Sequence, residues 1–193
     1  MKNQNTRMAT KTLAYSALLA ALSVVLARLF GLMPEASMRF SIEAVPIFLA
    51  GMLFGPLAGG LVGFCADFVG CLFSAYGYNP IFCIPPILYG VFGGIFRHYL
   101  SKNVSIWRLI VSFLPPVTLG SVLYQSCTLS YMYFDGTFFE GLLFYLSTRS
   151  VQFAITLVLD VTVIFLLFKA EIFERAGLWP PKRKKKGNCE NDC

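Results

Sequence analysis

Charged residues are scarce in this 193-residue chain: Asp, Glu, Lys and Arg make up 13% of it, against 56% hydrophobic residues. A soluble domain of this length carries about a quarter charged residues, so the composition predicts an integral membrane protein without a separate soluble domain. Each crossing needs about 20 apolar residues, which leaves room for five or six crossings. The first apolar run lacks a small-residue cleavage site behind it, so we interpret it as a retained helix.

Catalytic motifs are also lacking. The sequence contains no Walker A loop, no HExxH and no GxSxG, and its single histidine, His98, falls in a predicted loop. ATP hydrolysis by this chain and His-based catalysis are therefore excluded, and uptake against a gradient would need a partner or a coupled ion. An intramembrane enzyme stays open as an alternative; its catalytic groups would come from Glu43, Asp67, Asp160 or a serine.

The six cysteines form no CxxC pair. Four of them lie in apolar runs, where a cysteine behaves as a small hydrophobic residue. The other two, Cys189 and Cys193, lie in a C-terminal tail that we place in the reducing cytosol. The pattern predicts no metal site and no disulfide framework. We also expect no cofactor.

The apolar runs predict an all-α bundle of six transmembrane helices over residues 11–32, 42–53, 56–73, 81–96, 110–133 and 142–168. The second segment is too short to cross unless it is tilted or broken. Pro115 and Pro116 predict a kink in the fifth helix. Small residues suited to close helix packing recur along the third helix, at Gly59, Gly60, Gly63, Ala66 and Gly70. We expect one transmembrane domain over residues 1–172 and a basic tail over 173–193.

Basic residues gather on one predicted side of the bundle. All but three of the 16 lysines and arginines lie before or at the start of the first helix, between the fourth and fifth, or after the sixth. The positive-inside rule makes that side cytoplasmic, with both termini inside. The net charge of +6 therefore reflects topology and contact with anionic lipid, and not nucleic-acid binding.

The three remaining basic residues, Arg28, Arg39 and Arg149, all fall in the predicted outer half of the bundle. A guanidinium binds a carboxylate through two parallel hydrogen bonds, so this placement predicts an anion site open to the outside. The alternative is that Arg39 snorkels to the interface while Arg28 or Arg149 pairs with Glu43 or Asp67.

Aromatic and polar side chains also fall in the predicted outer half of the bundle. Flat rings beside amides and hydroxyls suit a planar heterocycle, although an interfacial aromatic belt would explain half of the tyrosines. Asp67 would either accept hydrogen bonds from an amino heterocycle or hold the neighbouring loop, and the role of Asp160 stays open. The residues concerned are Tyr76, Tyr78, Asn79, Tyr89, Tyr124, Gln125, Thr128 and Tyr131.

The stretch RFSIEAVPIFLAGMLFGPLAGGLVGFCADFVGCLFSAYGYNP, followed by PPILYG, resembles the substrate-binding (S) subunits of energy-coupling factor vitamin transporters. FGPLAGGLVGFCAD is shared by several vitamin specificities, while RFSIEAVPI with SAYGYNP is most similar to the folate-specific group. The resemblance implies a small membrane protein that captures folate from outside; the alternatives are a thiamin pyrimidine, pantothenate or a queuosine precursor.

The resemblance also implies partners. Such subunits dock on a transmembrane coupling (T) subunit and two cytosolic ATPases, so ATP would be used by the partners only. The family's AxxxA motif on the first helix, which meets the coupling subunit, corresponds to Ala17 and Ala21. The family's loops that cap the bound vitamin correspond to Arg39 and to residues 76–79.

Overall fold

The computed structural model of the protein describes residues 2–29, 32–35, 38–40, 42–72, 80–101, 104–134 and 136–170. The helices are α1 (Lys2–Leu29), α2 (Ala44–Phe54), α3 (Pro56–Leu72), α4 (Ile84–Ile95), α5 (Arg97–Leu100), α6 (Ile106–Pro116), α7 (Gln125–Tyr133) and α8 (Phe138–Lys169). A 3-10 turn, Pro80–Cys83, leads into α4, and a π-helical segment, Val117–Tyr124, joins α6 to α7. The basic tail and Asp135, between α7 and α8, lie outside the described residues.

The prediction of an all-α bundle is confirmed, with one addition in the first connecting loop. Strands β1 (Leu32–Glu35) and β2 (Met38–Phe40) pair antiparallel between α1 and α2. We call the end of the bundle at these strands the hairpin end, and the opposite end, where α5 lies, the α5 end. The first helix begins earlier than predicted, at Lys2, so the polar leader belongs to it.

The short second segment is an 11-residue helix enclosed by protein. Every residue of α2 from Ala44 to Leu53 is buried, and the helix contacts α1, α3, α4 and α8. A helix that is apolar all round is stable in such a central position. The ring of Phe48 packs against that of Phe113 on α6, with 4.1 Å between ring centroids. This helix therefore forms the centre of the core.

Three helices meet backbone to backbone at glycines. A Cβ atom at Gly51 of α2 would lie 2.8 Å from the nitrogen of Gly94, and one at Gly59 of α3 would lie 2.5 Å from the Cα of Gly51. A Cβ at Gly90 of α4 would collide with the backbone of Gly59. The packing predicted from the small residues of α3 is therefore confirmed at Gly59. We call Gly51, Gly59 and Gly90 the glycine seam.

The other small residues of α3 differ in their surroundings. A Cβ at Gly60 would lie 3.1 Å from Val91, and one at Gly63 would meet the backbone of Pro86. Among the described residues, nothing lies within 4 Å of a Cβ at Gly70, so the described part of the structure shows no close helix packing there. Gly55, in the turn between α2 and α3, has a φ of 105°, a conformation that glycine adopts without strain.

The fifth predicted helix changes its hydrogen bonding after its two prolines. Pro115 and Pro116 end α6, and the eight residues Val117–Tyr124 are π-helical before the α-helix resumes at Gln125. Proline lacks the backbone N–H that continues the α-helical pattern, so the disruption occurs where the sequence predicts a kink. Short π-helical segments are frequent at functional sites.

Within the described ranges, three helical stretches are long and apolar enough to cross a membrane: Thr10–Ala27, Ile106–Met132 and Phe138–Lys169. Three further apolar helices are shorter, namely Ala44–Phe54, Pro56–Leu72 and Pro80–Ile95. Large apolar side chains remain exposed on the outside of the bundle, for example Leu57, Leu143 and Val158 at 85%, 67% and 63%. Such a surface is compatible with contact to lipid.

Candidate ligand-binding site

Arg149 is held in place by a neighbouring amide. Its Nη1 donates a hydrogen bond of 2.7 Å to Oε1 of Gln125, which begins α7 directly after the π-helical segment. The guanidinium carbon lies 6.0 Å from the ring centroid of Phe153. The side chain is half-buried, and within the described part of the chain its Nε has no hydrogen-bond partner.

No acidic side chain among the described residues forms an ion pair with Arg149. The alternative predicted from the sequence, in which this arginine pairs with Glu43 or Asp67, is therefore not what the described part of the bundle shows. A fixed and partly desolvated guanidinium with unused N–H groups is suited to bind a carboxylate.

Tyr89 lies in a second polar group, deeper in the bundle. Its hydroxyl is 3.0 Å from Oγ of Ser121 in the π-helical segment, and its ring centroid is 5.9 Å from that of Phe113. The phenol is within electrostatic range of Asp160 and Glu43. The structure therefore places Tyr89, Ser121, Glu43 and Asp160 in one neighbourhood. Roles for Tyr89 and Glu43 in binding stay predictions.

Glu43 connects this group to the first helix. Oγ of Ser23, which is 2% exposed on α1, donates a hydrogen bond of 2.8 Å to the backbone oxygen of Glu43. Because Glu43 directly precedes α2, this bond fixes the start of the central helix at the level of Ser23.

The remaining predicted residues occupy three kinds of position. Arg28 lies in the last turn of α1 and Arg39 in β2, and the structure describes only their backbones, both at the hairpin end. Asp67 is half-buried on α3. Tyr76, Tyr78 and Asn79 lie outside the described residues. The roles of all these residues in binding stay predictions.

Thr128 and Tyr131, two other residues of the predicted outer half, occupy positions that a structural role explains. The hydroxyl of Thr128 donates to the backbone oxygen of Tyr124 at 2.9 Å, which is an ordinary bond within a helix. Tyr131 is 84% exposed, in agreement with the alternative of an interfacial aromatic belt.

Sequence reasoning missed a polar stripe on α8. Arg149, Gln152, Thr156 and Asp160 follow one another at spacings of three and four residues, which places them along one side of a helix. Gln152 is 3% exposed and Asp160 1%, so this side faces the interior. The helical period of the polar residues is the signal that would have revealed the stripe.

A long apolar groove of about 880 Å³ runs between α1 and α3 on the outside of the bundle. From α1 it is lined by Ser16, Ala17, Ala20 and Ala21, and from α3 by Ala58, Leu61 and Cys65 among others. Ala17 and Ala21 are exposed, so the small-residue face predicted for partner docking is open along this groove.

The sequence model of the family described as "ECF-type riboflavin transporter, S component" matches residues 7–172. The chain belongs to this family. It is accordingly a multi-pass membrane protein, and the sequence-based identification of the class is confirmed.

Among individual relatives, the S component is 28% identical over 120 residues to the "Folate transporter FolT" of Clostridium novyi (strain NT), which covers 59% of this chain and 68% of the relative. It also resembles a crystal structure of FolT bound with folic acid, with a TM-score of 0.71 and 28% identity over 83% of this chain and 94% of that one. An S component for biotin from an ECF-type ABC transporter has a TM-score of 0.60 at 20% identity, covering 84% of this chain and 93% of that one, and shows a shared fold.

Proposed function

We propose that this S component captures folate and delivers it to an energy-coupling module. The observation that carries the proposal is Arg149, a half-buried guanidinium that is fixed by Gln125 and has no acidic partner among the described residues. Folate ends in a glutamate with two carboxylates, which are suitable partners for such a guanidinium. The similarity to a folate transporter and to FolT bound with folic acid supports the same ligand.

Riboflavin, named in the family description, is the second candidate. Its flat ring system would suit the aromatic surroundings equally well. Riboflavin is uncharged, however, so it would leave Arg149 without an anionic partner in a partly desolvated position, which is unfavourable. Folate would supply an anionic partner for Arg149, whereas riboflavin would not.

The proposed partners are a transmembrane coupling subunit and two cytosolic ATPases. Docking would use the groove between α1 and α3, where the exposed Ala17 and Ala21 let another helix approach closely. ATP would be hydrolysed by the partners alone, and the S component would release the vitamin chemically unchanged. The hairpin end would face outward. The α5 end carries Arg97 and Arg108, so by the positive-inside rule it would face the cytoplasm.

The test is direct binding of folic acid to the purified protein in detergent, with riboflavin, biotin, thiamin and pantothenate as competitors. We expect stoichiometric binding of folic acid without ATP and no displacement by the other vitamins. Arg149→Gln should weaken binding by about 10- to 100-fold, because a hydrogen bond to a charged group contributes about 1.5–3 kcal/mol.

Arg108→Gln is the matched control. Its guanidinium lies 5.2 Å from the ring centroid of Tyr99 near the α5 end, away from Arg149, so folic acid affinity should stay unchanged. Tight riboflavin binding in place of folic acid would refute the folate assignment while leaving the class intact. Equal folic acid affinity of the Arg149 and Arg108 variants would show that the carboxylates bind elsewhere.

A further inference from the structure

Asp160 is the most deeply buried acidic residue of α8. It is 1% exposed, and its Oδ1 has no hydrogen-bond partner among the described residues. Buried polar atoms in folded proteins are nearly always hydrogen-bonded, so an unsatisfied carboxyl oxygen in the interior is a candidate acceptor for a donor that the described residues do not supply.

Asp160 has both polar and apolar residues in its neighbourhood. Tyr89 and Glu43 are within electrostatic range of it. Its neighbours along the helix, Val161 and Ile164, are 3% and 0% exposed. None of the described side chains donates a hydrogen bond to Asp160, although the Tyr89 and Ser121 hydroxyls, bonded to each other, lie in the same region.

Asp160 and Arg149 are the two ends of the polar stripe on α8. They are eleven residues apart, which at 1.5 Å per residue corresponds to about 16 Å along the helix. A cationic group lies at one end and a hydrogen-bond acceptor at the other. The stripe therefore matches an elongated ligand that carries carboxylates at one end and N–H donors at the other.

We propose that Asp160 accepts the paired N–H donors of the ligand's aminopyrimidinone ring, while Arg149 binds the carboxylate end. The assignment rests on the proposed folate function and specifies how the ligand lies: parallel to α8, with the ring end deepest. The 2-amino group and the adjacent ring N–H of a pterin point the same way, and a carboxylate accepts two such parallel bonds. Asp160 is then the residue that distinguishes this ring from one without those donors.

The test combines variants with altered ligands. Folic acid is compared with its analogue that carries a methyl in place of the 2-amino group, and with p-aminobenzoylglutamate, which has the glutamate end but no pterin. Wild-type protein should bind folic acid about 10-fold or more tightly than the methyl analogue. Asp160→Asn should weaken folic acid binding by about 10- to 100-fold and bring the two affinities within about threefold of each other, while leaving p-aminobenzoylglutamate binding unchanged.

Arg149→Gln is the matched control, because it should weaken p-aminobenzoylglutamate binding and keep the preference for folic acid over the methyl analogue. A uniform loss of affinity for all three ligands in Asp160→Asn, with an unchanged melting temperature, would overturn the assignment. Equal affinity of the wild-type protein for folic acid and the methyl analogue would overturn it without any variant. Absence of folic acid binding to the wild-type protein would instead refute the proposed function.

Discussion

The glycine seam gives a sharp prediction about stability. In Gly90→Ala, the new Cβ would collide with the backbone of Gly59 and lie 2.8 Å from the nitrogen of Gly60, whereas carbon atoms in ordinary contact are about 3.5–4.0 Å apart. The obstacle is backbone and cannot rotate away, so α3 and α4 must separate along their contact. Alanine favours a helix over glycine by about 1 kcal/mol, and overpacking of this kind costs about 1–3 kcal/mol or more.

Because rigid backbone puts the overpacking at the upper end of that range, we expect a net loss of about 2 kcal/mol in the free energy of unfolding. For a chain of this size, that corresponds to a melting temperature lower by about 4–8 °C. The measurement is thermal unfolding followed by circular dichroism in detergent micelles. Separation of the helices also loosens the surroundings of Tyr89 next to Gly90, so folic acid affinity should fall as well.

Gly70→Ala is the matched control, since it makes the same substitution in α3 at a position where no atom of the described residues lies within 4 Å of the new Cβ. It should raise the melting temperature slightly, because only the helix-propensity gain remains. A Gly90→Ala variant as stable as Gly70→Ala would refute the reasoning, since it would mean that the backbones do not approach as closely as the structure shows.

Two further predictions concern the inner polar group and the docking face. Tyr89→Phe, Ser121→Ala and the double variant should reveal a coupling of about 0.6–1.7 kcal/mol in the free energy of unfolding, as expected for a hydrogen bond between membrane helices, and additive effects would contradict that bond. Ala17→Trp should abolish co-purification with the coupling subunit and leave folic acid affinity within about twofold, because neither Arg149 nor Gln125 lines the groove. Ala14→Trp, on an exposed part of α1 that does not line the groove, should preserve co-purification; its loss in both variants would mean that α1 tolerates no bulky residue.

Local sequence patterns predicted those features of the fold that depend on one stretch of the chain alone. The short α2, the prolines that disrupt the fifth helix and the small residues of α3 are each visible as spacing or composition. The pattern of small residues indicates where a neighbour can approach but not whether one does. The prediction is therefore confirmed at Gly59, while at Gly70 no described residue lies near enough to pack. The π-helical continuation after Pro116 has no comparable signal, because it depends on how α4 and α8 pack against it.

The sequence predicted individual residues of the candidate site but not the contacts between them. Arg149 and Gln125 were both expected in the outer half, but their bond joins residues 24 positions apart and follows from the antiparallel packing of α7 and α8. The surroundings of Asp160 depend on where α2 begins, which is fixed by the bond from Ser23 to Glu43. Contacts of this kind arise from the tertiary arrangement and leave no trace in local periodicity.

The enclosure of α2 has a consequence for how the protein responds to its membrane. At 11 residues this helix rises about 16 Å, roughly half the thickness of the hydrocarbon core, and protein surrounds it on every side. A change in bilayer thickness acts on helices that meet lipid, such as α1 and α8, which accommodate it by tilting. The central helix is shielded from that adjustment, so the start of α2, with Glu43 in electrostatic range of Tyr89, keeps its geometry in bilayers of different thickness.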